Sequence, residues 1–78
     1  MITPAQCRAA RAWLNWSQND LADRARVSQS TVRDFERGRR TPITNNLDAF
    51  VKVFEANGVV LTTDPAGIAD KDDARASA

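Results

Sequence analysis

Through the first 56 positions, apolar residues recur at helical rather than strand spacing, and the pattern breaks at three places. Thr3-Pro4-Ala5-Gln6 is a helix start: Thr caps, Pro takes the first helical position and Gln stands three residues after the cap. The helix is expected to reach about Asn15, with Cys7, Ala10 and Leu14 on one face and Arg11 at its edge. Ser17 opens a second helix, Gln18–Ala25, with the apolar stripe Leu21, Ala22 and Ala25. Ser28 opens a third, Gln29–Arg37, which Gly38 closes in the left-handed conformation. Pro42 disfavours helix at Thr41, so residues 39–42 read as a loop. Thr44 is the expected cap of a last helix, Asn45–Ala56, whose stripe is Leu47, Phe50, Val51 and Phe54. Gly58 stops it, and Val59–Thr62 reads as a short strand rich in β-branched residues. One folded unit over 1–63 is expected, followed by a disordered polar tail over 64–78.

Two helices of about eight residues, joined by about three, cannot lie parallel; they must cross steeply, as a helix-turn-helix does. At roughly 100° per residue, Gln29, Ser30, Arg33, Asp34 and Arg37 fill one arc of the third helix. Thr31, Val32 and Phe35 fill the other, with Glu36 at its edge. One side is thus apolar and anchored, and the other is dense in hydrogen-bonding groups. Gln bridges adenine N6 and N7, Arg forks onto guanine O6 and N7, Asp accepts from cytosine N4, and Ser donates or accepts. The plainer reading is a solvated polar face; the preceding short helix and tight turn favour a face made for the major groove.

Charge sharpens this picture. The chain has 78 residues, 11 Lys and Arg against 10 Asp and Glu, and a formal charge of +1. That near-neutral total hides an uneven distribution. Residues 1–43 carry eight arginines and four carboxylates, a net +4, while residues 44–78 carry a net −3. Arginine is the side chain best shaped for bidentate phosphate and base contacts, although solvated helix faces are also arginine-rich. With no His and one Cys, zinc fingers, His–Cys metal sites and Ser–His or Cys–His catalysis are excluded, as is an internal disulfide. No enzyme activity, metal or cofactor is expected. No apolar run approaches the roughly 18 residues of a membrane span. The first residues lack the pattern of a secretory signal and a lone Cys fits a reducing cytosol, so a cytoplasmic location is expected, nucleoid-associated if the third helix enters DNA.

The stretch Gln18-Asn19-Asp20-Leu21-Ala22, then Val27-Ser28-Gln29-Ser30-Thr31-Val32, then Phe35-Glu36-Arg37-Gly38 and Pro42, resembles the helix-turn-helix of the Cro/C1-type (XRE) family of phage and bacterial repressors. Arg11, seven residues before Gln18, fits the same layout. The resemblance covers about residues 5–61. It implies an all-α, lambda-repressor-like domain of four to five short helices with a short C-terminal strand. It also implies that Gln29, Ser30 and Asp34 read base edges and that Gln18 bonds a phosphate. Ser28 and Thr31 would touch backbone or a thymine methyl. Arg37, Arg39, Arg40 and Thr41 would follow the phosphates, and Arg11 and Glu36 would form a buried ion pair. Arg33 either touches DNA, as a further base reader, or pairs with Asp34 or Glu36. Two departures stand out. Arg26 occupies the turn position that the family commonly gives to glycine, and one longer helix plus a strand replaces the two short helices that end many members.

The function expected is a sequence-specific double-stranded DNA-binding regulator, a repressor gripping a palindromic operator as a homodimer. The dimer would form through Val59–Thr62 or through the last helix. One alternative is the antitoxin of a toxin–antitoxin pair, with Trp13 or the tail contacting the toxin. Another is a protein-interaction module that has lost DNA binding; the Arg39-Arg40 loop argues against it. Trp13, Trp16 and Cys7 are expected to be packing residues, with Trp13 off the main stripe and half exposed.

Overall fold

The computed structural model describes residues 1–71, and the order of elements is α1 (Pro4–Leu14), α2 (Gln18–Ala25), α3 (Gln29–Glu36), α4 (Thr44–Ala56), β1 (Val59–Thr62) and β2 (Gly67–Asp70). Each of the first three helices starts where a hydroxyl can replace a missing helical partner. Thr3 Oγ1 accepts from the Gln6 backbone at 3.1 Å, and Gln6 Oε1 accepts from the Thr3 backbone at 2.9 Å. Ser17 and Asp20 make the same reciprocal pair. Ser28 Oγ accepts from the Thr31 backbone at 3.2 Å. The fourth start departs from expectation. Ile43, not Thr44, is the cap, without any side-chain bond, because the Ile43 carbonyl already accepts from Asn46 and Leu47. Thr44 is therefore inside the first turn.

The turns between helices are left-handed. Asn15 closes α1 at φ 57°, and Arg26 closes α2 at φ 59°. Beyond Arg26, the Val27 N–H reaches back to the Ala22 carbonyl at 3.0 Å and ties off the helix end. Arginine thus adopts the backbone shape that glycine adopts freely, at a cost of roughly 1 kcal/mol or more. After α3, Gly38 takes φ 73° and lets the Arg39 N–H bond the Asp34 carbonyl at 2.9 Å.

Leu21, Val32, Phe35, Leu47, Phe50, Phe54 and Val59 meet in one core, joined by Ile2, Cys7 and Ala10 from the N-terminal end. Phe35 stacks on Phe50 with ring centroids 5.9 Å apart, and Trp16 on Phe54 at 6.0 Å. The Arg24 guanidinium covers Trp16 at 4.3 Å from its centroid, so Trp16 packs as expected.

The C-terminal region corrects the expectation. β1 is one half of an antiparallel hairpin, with Leu61 opposite Ile68 and Thr62 opposite Gly67, across a connection that contains a cis Asp64–Pro65 bond. Residues 67–70, expected to belong to a disordered tail, are a strand. Ile68 packs against the core, and the buried Gln6 amide donates to Thr62 O at 2.7 Å and Gly67 O at 2.9 Å. The rest of the expected tail, residues 72–78, lies outside the described residues.

Candidate nucleic-acid interface

The two sides of α3 meet different surroundings. Val32, Phe35 and Glu36 are buried, whereas Ser30 is exposed and Gln29, Thr31, Arg33 and Asp34 are partly so. A groove of about 250 Å³ runs beside this outer side, lined by Ser30, Thr31, Asp34, Arg40, Thr41 and Ile43. The fold therefore brings the loop of residues 39–41 alongside the expected base-reading positions. The tie is backbone: the Asp34 carbonyl accepts from the N–H groups of Arg39 at 2.9 Å and Arg40 at 3.3 Å.

The individual side chains sort into engaged and free. Ser28 Oγ lies 2.8 Å from Thr31 Oγ1 and 3.0 Å from Ser30 Oγ, a hydroxyl cluster at the start of α3. Arg33 Nε meets Asp34 Oδ1 at 3.4 Å, the local pairing that stood as one of its two options. This pair is solvent-accessible and worth little to stability. Arg37, Arg39, Arg40 and Thr41 are exposed, and among the described residues their side chains form no hydrogen bond or ion pair. Free arginines on a surface gain most from a polyanion, because they have no internal partner to give up.

Behind the interface lies a polar cluster. Arg11 grips Glu36 with two bonds, Nε to Oε2 at 2.6 Å and Nη2 to Oε1 at 2.7 Å. Arg11 Nη1 also donates to Trp16 O at 3.0 Å, so one side chain ties α1, the turn before α2, and α3. Gln18 Nε2 donates to Glu36 Oε1 at 3.1 Å, and Gln29 Nε2 donates to Gln18 Oε1 at 3.0 Å. Gln18 is thus part of an internal network, with one amide N–H left over for the phosphate role that the resemblance implies.

Two members of this cluster escaped the sequence reading. Cys7 Sγ donates to Glu36 Oε2 at 3.1 Å, and Arg8 donates to the Glu36 carbonyl. Helical spacing placed Cys7 in the core, but nothing in the sequence pairs a thiol with a carboxylate 29 residues away. Burial alone would push the Glu36 carboxyl up; the hydrogen bonds from Arg11, Cys7 and Gln18, with the Arg11 charge, outweigh it and hold the group below the usual carboxylate range. The Arg11 guanidinium is pushed up mainly by its hydrogen bonds to Glu36. Burial, reinforced by Glu36, pushes the Cys7 thiol far up, so it remains an uncharged donor.

A sequence model of the helix-turn-helix family matches residues 8–57, well over half of the chain and most of the geometry just described. The chain belongs to the Cro/C1-type helix-turn-helix (XRE) family. Among curated proteins, none matches it. As an XRE-family domain, four helices and a short hairpin, the protein is a DNA-binding transcriptional regulator. Among the described residues, no helix is long and apolar enough to cross a membrane.

Proposed function

We propose that this XRE-family protein is a sequence-specific repressor that binds a palindromic operator as a homodimer. The observation that carries the reading is the outward side of α3, which presents Gln29, Ser30, Arg33 and Asp34 with the exposed arginines of the next loop beside it; those four would read base edges. Gln18, Ser28, Thr31, Arg37, Arg39, Arg40 and Thr41 would hold the phosphates. The Arg11–Glu36 pair sets the angle of α3 without touching DNA. One recognition helix covers only a few base pairs, so two copies about 34 Å apart on one face of the duplex supply the affinity. Repression is then steric, because an occupied operator excludes polymerase.

The outward residues of α4, including Asn45, Asp48, Lys52 and Glu55, are polar, which favours the hairpin over α4 as the dimer contact. Among the described residues each strand of the hairpin has one ladder partner, so a second copy can extend the sheet. Selection of binding sites from random duplexes tests the whole reading. Enrichment of a palindrome with that half-site spacing is expected, and recovery of no common sequence overturns it.

One observation favours a second reading, an antitoxin that also represses its own operon. Trp13 is 54% exposed on α1, a large aromatic left outside the core. A neighbouring reading frame encoding a toxin-like protein, whose complex is broken by Trp13→Ala without loss of DNA binding, would support it.

A further inference from the structure

A second cleft, of about 300 Å³, shares Arg40 and Thr41 with the groove along α3. The start of the chain contributes Ile2 and Pro4 to it, the loop after α3 contributes Gly38, and the nearly covered Phe35 and Leu47 form its floor. A Cβ added at Gly38 would meet nothing within 4 Å, so the cleft is open on that side. The groove along α3 holds a carboxylate, Asp34, whereas among the described residues no Asp or Glu lines the second cleft. Its charged side chain is Arg40, exposed and bonded to none of the described residues. This is the make-up of a small-molecule site at the lower end of the usual size range: an apolar surface with a few polar groups that fix orientation. The charge selects the head of the ligand. A guanidinium without an internal partner gains from a carboxylate, which it can grip with two parallel bonds. The floor selects the rest, a hydrocarbon body, because apolar surface leaves water favourably. Inorganic phosphate has no apolar part to place there and would leave the floor wet.

We propose that this cleft is an effector site for a small monocarboxylate with an apolar tail, and that the bound carboxylate draws Arg40 away from DNA. Arg40 stands between the two clefts and lines both, so a ligand anion and a DNA phosphate compete for one guanidinium. The coupling is reciprocal: by whatever factor the ligand weakens DNA binding, DNA weakens ligand binding. Release from DNA rests on the phosphate role proposed above for Arg40; occupation of the cleft does not.

Titration of the full chain with octanoate, followed by amide NMR, tests the site, with acetate as the head alone and octanol as the tail alone. Octanoate is expected to shift the amides of Ile2, Gly38, Arg40 and Leu47 and to saturate; acetate and octanol at equal concentration should leave them largely in place. Arg40→Gln changes an exposed side chain and should cut octanoate affinity about tenfold, as the loss of one charge-assisted contact implies. Affinity for a DNA duplex is then measured with octanoate, and with acetate to match ionic strength. Saturating octanoate should weaken the wild-type protein about tenfold and reduce its salt slope by about 0.9. Arg40→Gln binds DNA more weakly from the outset, and octanoate should weaken it no further. If the cleft amides do not move, or if octanol binds as well as octanoate and Arg40→Gln makes no difference, there is no carboxylate site and the proposal fails. A filled cleft with unchanged DNA affinity also overturns it, because Arg40 then does not serve both anions. A protein that binds all duplexes alike overturns the operator reading above but not this proposal, which needs Arg40 on a phosphate of any sequence.

Discussion

Arg11 and Arg40 carry the same guanidinium in opposite settings. Arg11 spends its donors inside the domain, two on the Glu36 carboxylate and one on the Trp16 carbonyl. Arg40 is exposed beside the groove along α3, and its side chain bonds none of the described residues. The first arrangement fixes where elements stand, and the second leaves charge available for something outside. In a chain with eight arginines in its first 43 residues, the net charge alone cannot separate these uses. Their partners can.

The sharpest way to break the comparison is to remove one partner on the inner side. Glu36→Ala should destabilise the domain by about 3–5 kcal/mol, because Arg11 would be left with an uncompensated charge in a poorly solvated site. Urea unfolding would show this as a lower midpoint with an unchanged slope. The same carboxylate predicts an acid limb in the stability curve. Its folded pKa lies below its ordinary value of 4.5, so its contribution is complete above that value and is lost as pH falls through the lowered folded value. Thermal unfolding measured from pH 6 down to pH 2, about the range in which carboxylates titrate, should lose this limb in a folded Glu36→Gln protein.

On the outer side, the double variant Arg39→Ala, Arg40→Ala should leave stability within about 0.5 kcal/mol. It should weaken binding to all duplexes alike, and the slope of log affinity against log salt should shrink by about 0.9 for each phosphate no longer neutralised. If its unfolding midpoint moved as far as that of Glu36→Ala, the distinction between the two kinds of arginine would collapse. The smallest effect concerns an arginine that belongs to neither group. Arg26 holds a left-handed turn at φ 59°, and Arg26→Gly should relieve about 1 kcal/mol of backbone strain, offset in part by the added freedom of the unfolded chain. A small rise in the melting temperature would register it.

The helices could be read from the chain because their signals are local. Thr3, Ser17, Ser28 and Gly38 each act within one turn of their own position. Thr44 carries the side chain of a cap, but the helix begins one residue earlier, where the bare Ile43 carbonyl suffices. The second strand could not be found this way. Gly67-Ile68-Ala69-Asp70 has a single large apolar residue and no alternation, and it becomes a strand only because β1 provides a ladder and Gln6 binds two of the hairpin's carbonyls. The same limit applies to the interface. The outward side of α3 follows from helical spacing, but the path from Cys7 through Glu36 and Gln18 to Gln29 joins distant stretches of sequence that only the fold brings together.

The Gln6 clasp bears on the order in which the domain can be assembled. Its two acceptors lie 56 and 61 residues further along the chain. Until those two carbonyls come into place, the buried amide of Gln6 lacks both partners. Closure must wait for nearly the whole described sequence, and such long-range contacts are the slow ones to form. The clasp therefore ties the first helix to the hairpin and closes most of the described chain into a single loop.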